Sequence, residues 1–305
     1  MNIISILPES TGFFSSVFFF MNHYIYCKKN KLNFKIISNK WLFSYINGWN
    51  DYFENILQIT DDNSELDIKY VKYGDILYNY PIFEYKNVLW DIYKYNNHTI
   101  SHINTTIQNL GLENKEYGSI FIRRGDKLFY ESKFYPTEKY VDLLLEKYPD
   151  CKIIFLQTDD YNTYIDIEKY INSKQLNIKL ITLCNKNQKG VMTYNHGHIY
   201  TNITKNSEYI NNIRNELILT KPVTEMSKDE IYNHTMTMLV GLDIVFHSKY
   251  CILDYQSNVS RFIKLAHDIP ENVFDIDGFQ LDLNKEICPA YPESVYNDPD
   301  NLRNS

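Results

Sequence analysis

The chain predicts a doubly wound α/β fold, and three observations carry the prediction. From Gly118 onward, short apolar runs alternate with segments of helical spacing, the pattern of a parallel sheet covered on both faces. One run, Ile153–Leu156, is apolar without alternation, as in a strand buried on both sides. At 305 residues the chain is also too long for one ordinary hydrophobic core, so two domains are expected.

The N-terminal part opens with an apolar run, Ile3–Leu7, followed by a turn-like stretch, Pro8–Gly12, and the aromatic run Phe13–Tyr26. This reads as strand, loop and helix. Phe34–Ile37 is a second strand, and Trp41–Phe53 is aromatic and irregular. Polar residues at 112–118 mark a domain boundary. Beyond it, the strand Ser119–Ile122 ends in Arg123-Arg124-Gly125-Asp126. Thr137–Tyr148 has helical spacing, with Val141, Leu144, Leu145 and Tyr148 on one side and Pro149 as a stop. After Ile153–Leu156 come a helix at Tyr161–Ile171 and a strand at Ile178–Leu183. The polar stretch 185–224 is too long for a simple connection, and loops of that length often carry function. Ser227–Glu230 forms a capping box before a helix that runs to about Phe246, with Ile231, Met238, Leu239, Leu242 and Phe246 inward. A strand at Tyr250–Leu253 and a helix at Ser257–His267 complete the series. The expected domains are 1–115 on the acceptor side and 116–290 for the nucleotide, with a polar tail at 291–305.

Composition narrows the function classes. Apolar residues make up 44% and charged residues 23%, as in soluble globular proteins. The net charge of −7 argues against a broad nucleic-acid surface. Five cysteines, Cys27, Cys151, Cys184, Cys251 and Cys288, are widely spaced without a C-x-x-C pair, which reads as ordinary thiols in a reducing compartment. The stretch Phe13–Tyr26 is shorter than the about 20 apolar residues a membrane span needs, and it contains Ser15, Ser16, Asn22 and His23. The start MNIISILPES lacks the positive charge of a secretory signal. A cytoplasmic protein with no membrane span and no nucleic-acid partner is expected.

Ligands of such sheets collect outside the carboxyl ends of the strands. Three clusters fall there: Arg123–Lys127, Asp159–Asp160 and Tyr255–Asn258. Arginine offers a planar fork that suits phosphate oxygens, and Gly125 lets backbone approach a ligand closely. A diphosphate leaving group gains charge as its bond to a sugar breaks, and fixed cations stabilise that charge. By itself the run reads equally as a charged surface turn. Arg124-Gly125-Asp126 also spells an adhesion tripeptide, a weak match at three residues. Asp159-Asp160 lacks the intervening residue of a metal-holding D-x-D, and Asp160 is placed to cap the next helix. His196-Gly197-His198 is too little for a metal site and is a candidate for acceptor contact. Ser257 and Asn258 stand where a strand hands over to a helix, suited to phosphate or to capping alone.

The run Ile122–Tyr140, IRRGDKLFYESKFYPTEKY, resembles the phosphate-binding motif of the α-1,6-fucosyltransferases (glycosyltransferase family 23). It is also similar to the wider superfamily that includes the α-1,2- and protein O-fucosyltransferases. Gln157-Thr158-Asp159-Asp160 resembles that family's T-D-D. Leu242-Asp243-Ile244 resembles its L-D-I, and Ser257-Asn258-Val259-Ser260-Arg261 its S-x-V-x-R. The four motifs stand in the family's order across residues 118–262. The first 110 residues give only a loose match, at Gly12-Phe13-Phe14-Ser15.

The resemblance implies a GT-B-like architecture, two Rossmann-like domains with a cleft between them. It implies an inverting fucosyltransferase that moves L-fucose from GDP-fucose to a glycan or other hydroxyl acceptor, with no cofactor and no metal. In that reading Arg123 binds the β-phosphate and stabilises departing GDP, with Arg124, Asp126 and Phe121 completing the donor contacts. Glu131 is the general base and Lys127 assists it. Asp243 accepts the two adjacent N–H groups of guanine, and Ser257 and Asn258 hold phosphate. Tyr140, Asp159 and Asp160 support the site from behind, and His196 and His198 touch the acceptor. The family often has histidine two residues before the first motif arginine. This chain has Phe121 there, so base binding would lean on stacking. The membrane anchor, coiled-coil stem and SH3-like domain of the α-1,6 enzymes have no expected counterpart, so their acceptor specificity is not carried over. Three other readings stand beside this one: a transferase for another GDP-sugar, a catalytically inactive nucleotide-sugar or glycan-binding protein, and an adhesion protein using Arg124-Gly125-Asp126. Arg123, Lys127 and Glu131 together favour an enzyme over the second.

Overall fold

Two parallel sheets organise the chain. The computed structural model describes residues 2–9, 11–55, 68–71, 80–125, 134–191 and 221–279. In the first sheet, β1 (Asn2–Ile6) lies between β2 (Asn33–Ile37) and β3 (Ile68–Val71), all parallel. Helix α1 (Phe13–Asn30) joins β1 to β2 and outlasts the aromatic run that predicts it. Phe13, Phe14, Val17, Phe18, Phe20 and Met21 are buried, so the run is a core helix. No described helix is long and apolar enough to cross a membrane.

The irregular stretch 41–53 is ordered by one carboxylate. Asp51 accepts the backbone N–H groups of Tyr45, Ile46 and Asn47 at 2.7 to 3.2 Å. Trp41, Trp49, Tyr52 and Phe53 are buried around it, and Trp49 stacks on Phe53 with ring centroids 4.0 Å apart. Helices α2 (Ile82–Ile92) and α3 (Asn97–Leu110) follow. Helix α2 buries Ile82, Tyr85, Val88, Leu89 and Ile92, a helical stripe.

The second sheet is wholly parallel in the order β6-β5-β4-β7-β8. At its centre is β4 (Gly118–Ile122), with all five residues buried. On one side lie β5 (Ile153–Thr158) and β6 (Lys179–Thr182); on the other lie β7 (Tyr250–Leu253) and β8 (Val273–Asp275). Helices α4 (Thr137–Lys147), α5 (Tyr161–Ser173), α6 (Lys228–Phe246) and α7 (Asn258–Ala266) alternate with these strands. One face packs Ile120, Ile122, Val141, Leu144, Ile154, Leu156, Ile167 and Ile252 into a single apolar cluster. The chain winds outward from β4 to β6, then returns to place β7 on the other side of β4. Such a reversal opens a crevice at the carboxyl ends of the two flanking strands.

Helix α6 starts with the predicted capping box. Ser227 Oγ accepts the Glu230 N–H at 3.2 Å, and the Glu230 carboxylate accepts the Ser227 N–H at 2.6 Å. Ile231, Leu239, Leu242 and Phe246 are buried, while Met238 is half-buried. The described residues fall into two units, one within Met1–His102 and Ser227–Met236, the other within Ile103–Met226 and Thr237–Gln280. The fold is mixed α/β with parallel sheets, as the alternation predicts.

Candidate functional site

The carboxyl edge of the second sheet gathers most of the described motif residues. Ile122 pairs with Thr158, and Ile120 with Ile252, so the turns after β4, β5 and β7 lie side by side. The turn after β4 is braced by Asp159. One oxygen of its carboxylate accepts the Arg124 N–H at 2.6 Å and the other accepts the Gly125 N–H at 3.0 Å. Arg123 Nε stands 3.9 Å from the same carboxylate. A Cβ on Gly125 would collide with the Val191 backbone and the Asp159 side chain, so only glycine fits this close approach. Asp160 caps α5 by accepting the Asn162 N–H at 3.0 Å. The adjacent carboxylates are thus committed to protein N–H groups. Among the described residues no group of three or more His, Cys, Asp or Glu side chains is placed to hold a metal.

The two arginines part company. Arg123 keeps 22% of its side chain exposed, whereas Arg124 is 2% exposed. A terminal nitrogen of Arg124 donates to the Tyr135 carbonyl at 2.6 Å, and its guanidinium lies 4.1 Å from the Phe134 ring centre. Tyr140, Asp254, Asp275 and Asp277 share this pocket electrostatically. Tyr135 Oη donates to Asp277. Burial pushes the Asp254 carboxyl up to about 7; the Gln256 N–H and Arg124 oppose the rise, and Asp275 and Asp277 add to it. Burial also raises Asp275, although its carboxylate accepts the N–H groups of Tyr255, Asp277 and Phe279.

Ser257 caps α7, accepting the Ser260 N–H at 3.1 Å. Asn258 Oδ1 accepts from Arg261 at 3.0 Å, and Arg261 Nε donates to the Tyr255 carbonyl at 3.1 Å. The S-x-V-x-R run is therefore a strand-to-helix turn tied from inside by its arginine. A helix N-terminus of this kind is suited to an anion. Phe121 is a buried residue of β4 and Tyr140 a buried residue of α4. Asp126, Lys127, Glu131, His196 and His198 lie outside the described residues.

Asp243 lies near the end of α6, two residues after Gly241, where an added Cβ would meet the Gln157 side chain, and Gln157 pairs with Phe121 of β4. Helix α6 ends at the amino side of the sheet, where Tyr117 Oη donates to the Ile244 carbonyl at 2.8 Å and the Lys249 N–H to the Tyr117 carbonyl at 2.9 Å. Asp243 is 9% exposed. Burial pushes it up to about 6, and nearby His247 pulls the other way. His247 Nε2 is 3.7 Å from Asp243, and its Nδ1 is 2.7 Å from Asp268. Burial disfavours the charged ring of His247, yet the Asp268 hydrogen bond and the two carboxylates raise its pKa. The sequence signals a buried acid in need of a partner; in the structure that partner is His247.

Sequence reasoning missed Asp254, Asp275, Asp277 and Tyr135. Asp254 directly follows an apolar strand at the same edge as the motif residues, a placement that could have flagged it. Asp275 ends, and Asp277 follows, a strand too short to show a period.

The fold is mixed α/β of the GT-B-like class. Solved structures of NodZ are among those that match the chain. The α-1,6-fucosyltransferase NodZ soaked with GDP-fucose matches with a TM-score of 0.54 and 9% identity, covering 87% of this chain and 92% of that one. NodZ co-crystallised with GDP gives the same values. Fucosyltransferase NodZ from Bradyrhizobium gives a TM-score of 0.53, with 9% identity and coverage of 87% of this chain and 92% of that one. At that identity the likeness establishes the fold. No family model matches the chain, and no curated protein sequence matches it.

Proposed function

We propose that the chain is an inverting fucosyltransferase that binds GDP-fucose at the carboxyl edge of the second sheet. The observation that carries this reading is Arg123, partly exposed at the β4/β7 reversal and held on a turn braced by Asp159. A guanidinium there suits a diphosphate, and the N–H groups at the start of α7 lie one strand away. The fold likeness to NodZ, solved with GDP and with GDP-fucose, supports the donor class.

In the proposed reaction Arg123 stabilises charge on the leaving GDP, which replaces the need for a metal ion. Glu131 takes the acceptor hydroxyl proton, and Lys127 four residues earlier keeps that carboxylate ionised. GDP-fucose is β-linked, so a single displacement yields an α-fucoside. Asp243 accepts the N1–H and N2–H groups of guanine in this reading.

The test is a donor screen followed by an acceptor panel. GDP-fucose is expected to be turned over ahead of other GDP-sugars, UDP-sugars and ADP-sugars. Turnover of a different GDP-sugar would keep the fold and change the donor. Binding of GDP without transfer to any hydroxyl acceptor would point to an inactive binding protein.

A further inference from the structure

We propose that Arg124 is a positioning residue that closes the base of the segment between Gly125 and Phe134, rather than a contact to the donor. Its backbone N–H goes to Asp159 at 2.6 Å, on the entering side of that segment. Its side chain goes to the Tyr135 carbonyl at 2.6 Å and lies 4.1 Å from the Phe134 ring centre, on the leaving side. One residue thus holds both ends. The leaving end is held a second time, because Tyr135 Oη donates to Asp277 just beyond β8.

The chemistry suits arginine. A planar guanidinium can stack one face on an aromatic ring while its fork donates in plane. Asp254 is within electrostatic reach of the guanidinium. Turning the side chain out to a phosphate would break the Tyr135 bond. Pinning both ends reduces the conformational freedom of the eight residues between them. Those residues include Lys127 and Glu131, so Arg124 acts on turnover through them. That consequence rests on the function proposed above; the tie itself does not.

Arg124→Ala, Arg124→Lys and Tyr135→Phe in the full chain test it with two readouts. One is backbone hydrogen exchange across residues 126–133, and the other is GDP affinity by calorimetry. Arg124→Ala is expected to speed exchange about tenfold or more, the usual worth of a hydrogen bond to a charged group. GDP affinity should stay close to that of the unsubstituted chain, and turnover should fall with little change in donor KM. Arg124→Lys, which keeps the charge and loses the fork, should fall between. Tyr135→Phe should speed exchange while GDP affinity holds. Unchanged exchange overturns the proposal, and so does a loss of GDP affinity as large as that of Arg123→Ala. If Arg124→Ala does not fold, the other two variants carry the same outcomes. If GDP fails to bind the unsubstituted chain, the function reading fails and the exchange readout still decides the tie.

Discussion

In the proposed transfer, Arg123 and Glu131 answer different electrical problems. Glycosyl transfer needs the acceptor hydroxyl to lose a proton and the diphosphate to leave with added charge. Glu131 acts only on the first, so Glu131→Gln should leave GDP binding nearly unchanged and lower the rate by about 10²–10⁴. Calorimetry and single-turnover rates on the same variant check both halves; near-normal turnover would remove Glu131 from the mechanism. Asp254 gives a pH prediction. Its pKa is raised from the ordinary 3.8 to about 7, mainly by burial. The folded state therefore holds the proton more tightly than the unfolded chain. Stability from this group is full below the unfolded value and falls as pH rises through about 7. Asp254→Asn should flatten that slope and raise stability above pH 7 by a few kcal/mol at most. Urea midpoints at pH 4 and pH 8 measure it, and an Asn variant weaker than its parent at pH 8 would show that Arg124 needs the charge. Arg123 and Asp159 were legible in the sequence because cations, glycine and acids follow apolar runs. The separate fates of Arg123 and Arg124 were not, because adjacent residues carry no mark of which one turns inward.

Helix α6 shows what a motif can and cannot fix at the scale of an element. The capping box at Ser227–Glu230 and the apolar spacing to Phe246 locate the helix. They do not say how far along the sheet a given turn lies. A triplet that matches a base-reading motif therefore ends up beside Tyr117 and His247. Asp243→Asn should erode the preference for GDP over UDP and ADP in competition binding. An unchanged preference in that variant would remove Asp243 from the donor site. Helices α2 and α3 and strand β8 were not read from the sequence. In α3 polar residues outnumber a thin stripe of Ile100, Ile103, Ile107 and Leu110 at helical spacing, and Val273–Asp275 is too short to show a period. The turn after β4 was legible for its residue types. Its brace was only hinted at by Asp159, which reaches it from the next strand.

For the whole molecule, the alternation of strands and helices yields the parallel sheets but not their order. The β6-β5-β4-β7-β8 arrangement places the turn after β4 beside the turn after β7, and this makes two distant motifs one site. No composition shift announces that the first turns of α6 belong to a different unit from the rest of that helix. If arginine supplies the positive charge, transfer should proceed undiminished in EDTA. Loss of activity restored by Mn²⁺ or Mg²⁺ would make Asp159 and Asp160 candidate ligands again. The central claim is that Arg123 binds a guanosine diphosphate at this edge. Its most direct test is a calorimetric titration of GDP into the unsubstituted chain and into Arg123→Ala, with UDP and ADP as comparisons. The account predicts that GDP binds more tightly than UDP or ADP and that Arg123→Ala weakens it by about 1.5–3 kcal/mol, the worth of a charged hydrogen-bonding site. Equal affinity for the three nucleotides, or GDP binding that ignores the loss of Arg123, would contradict it.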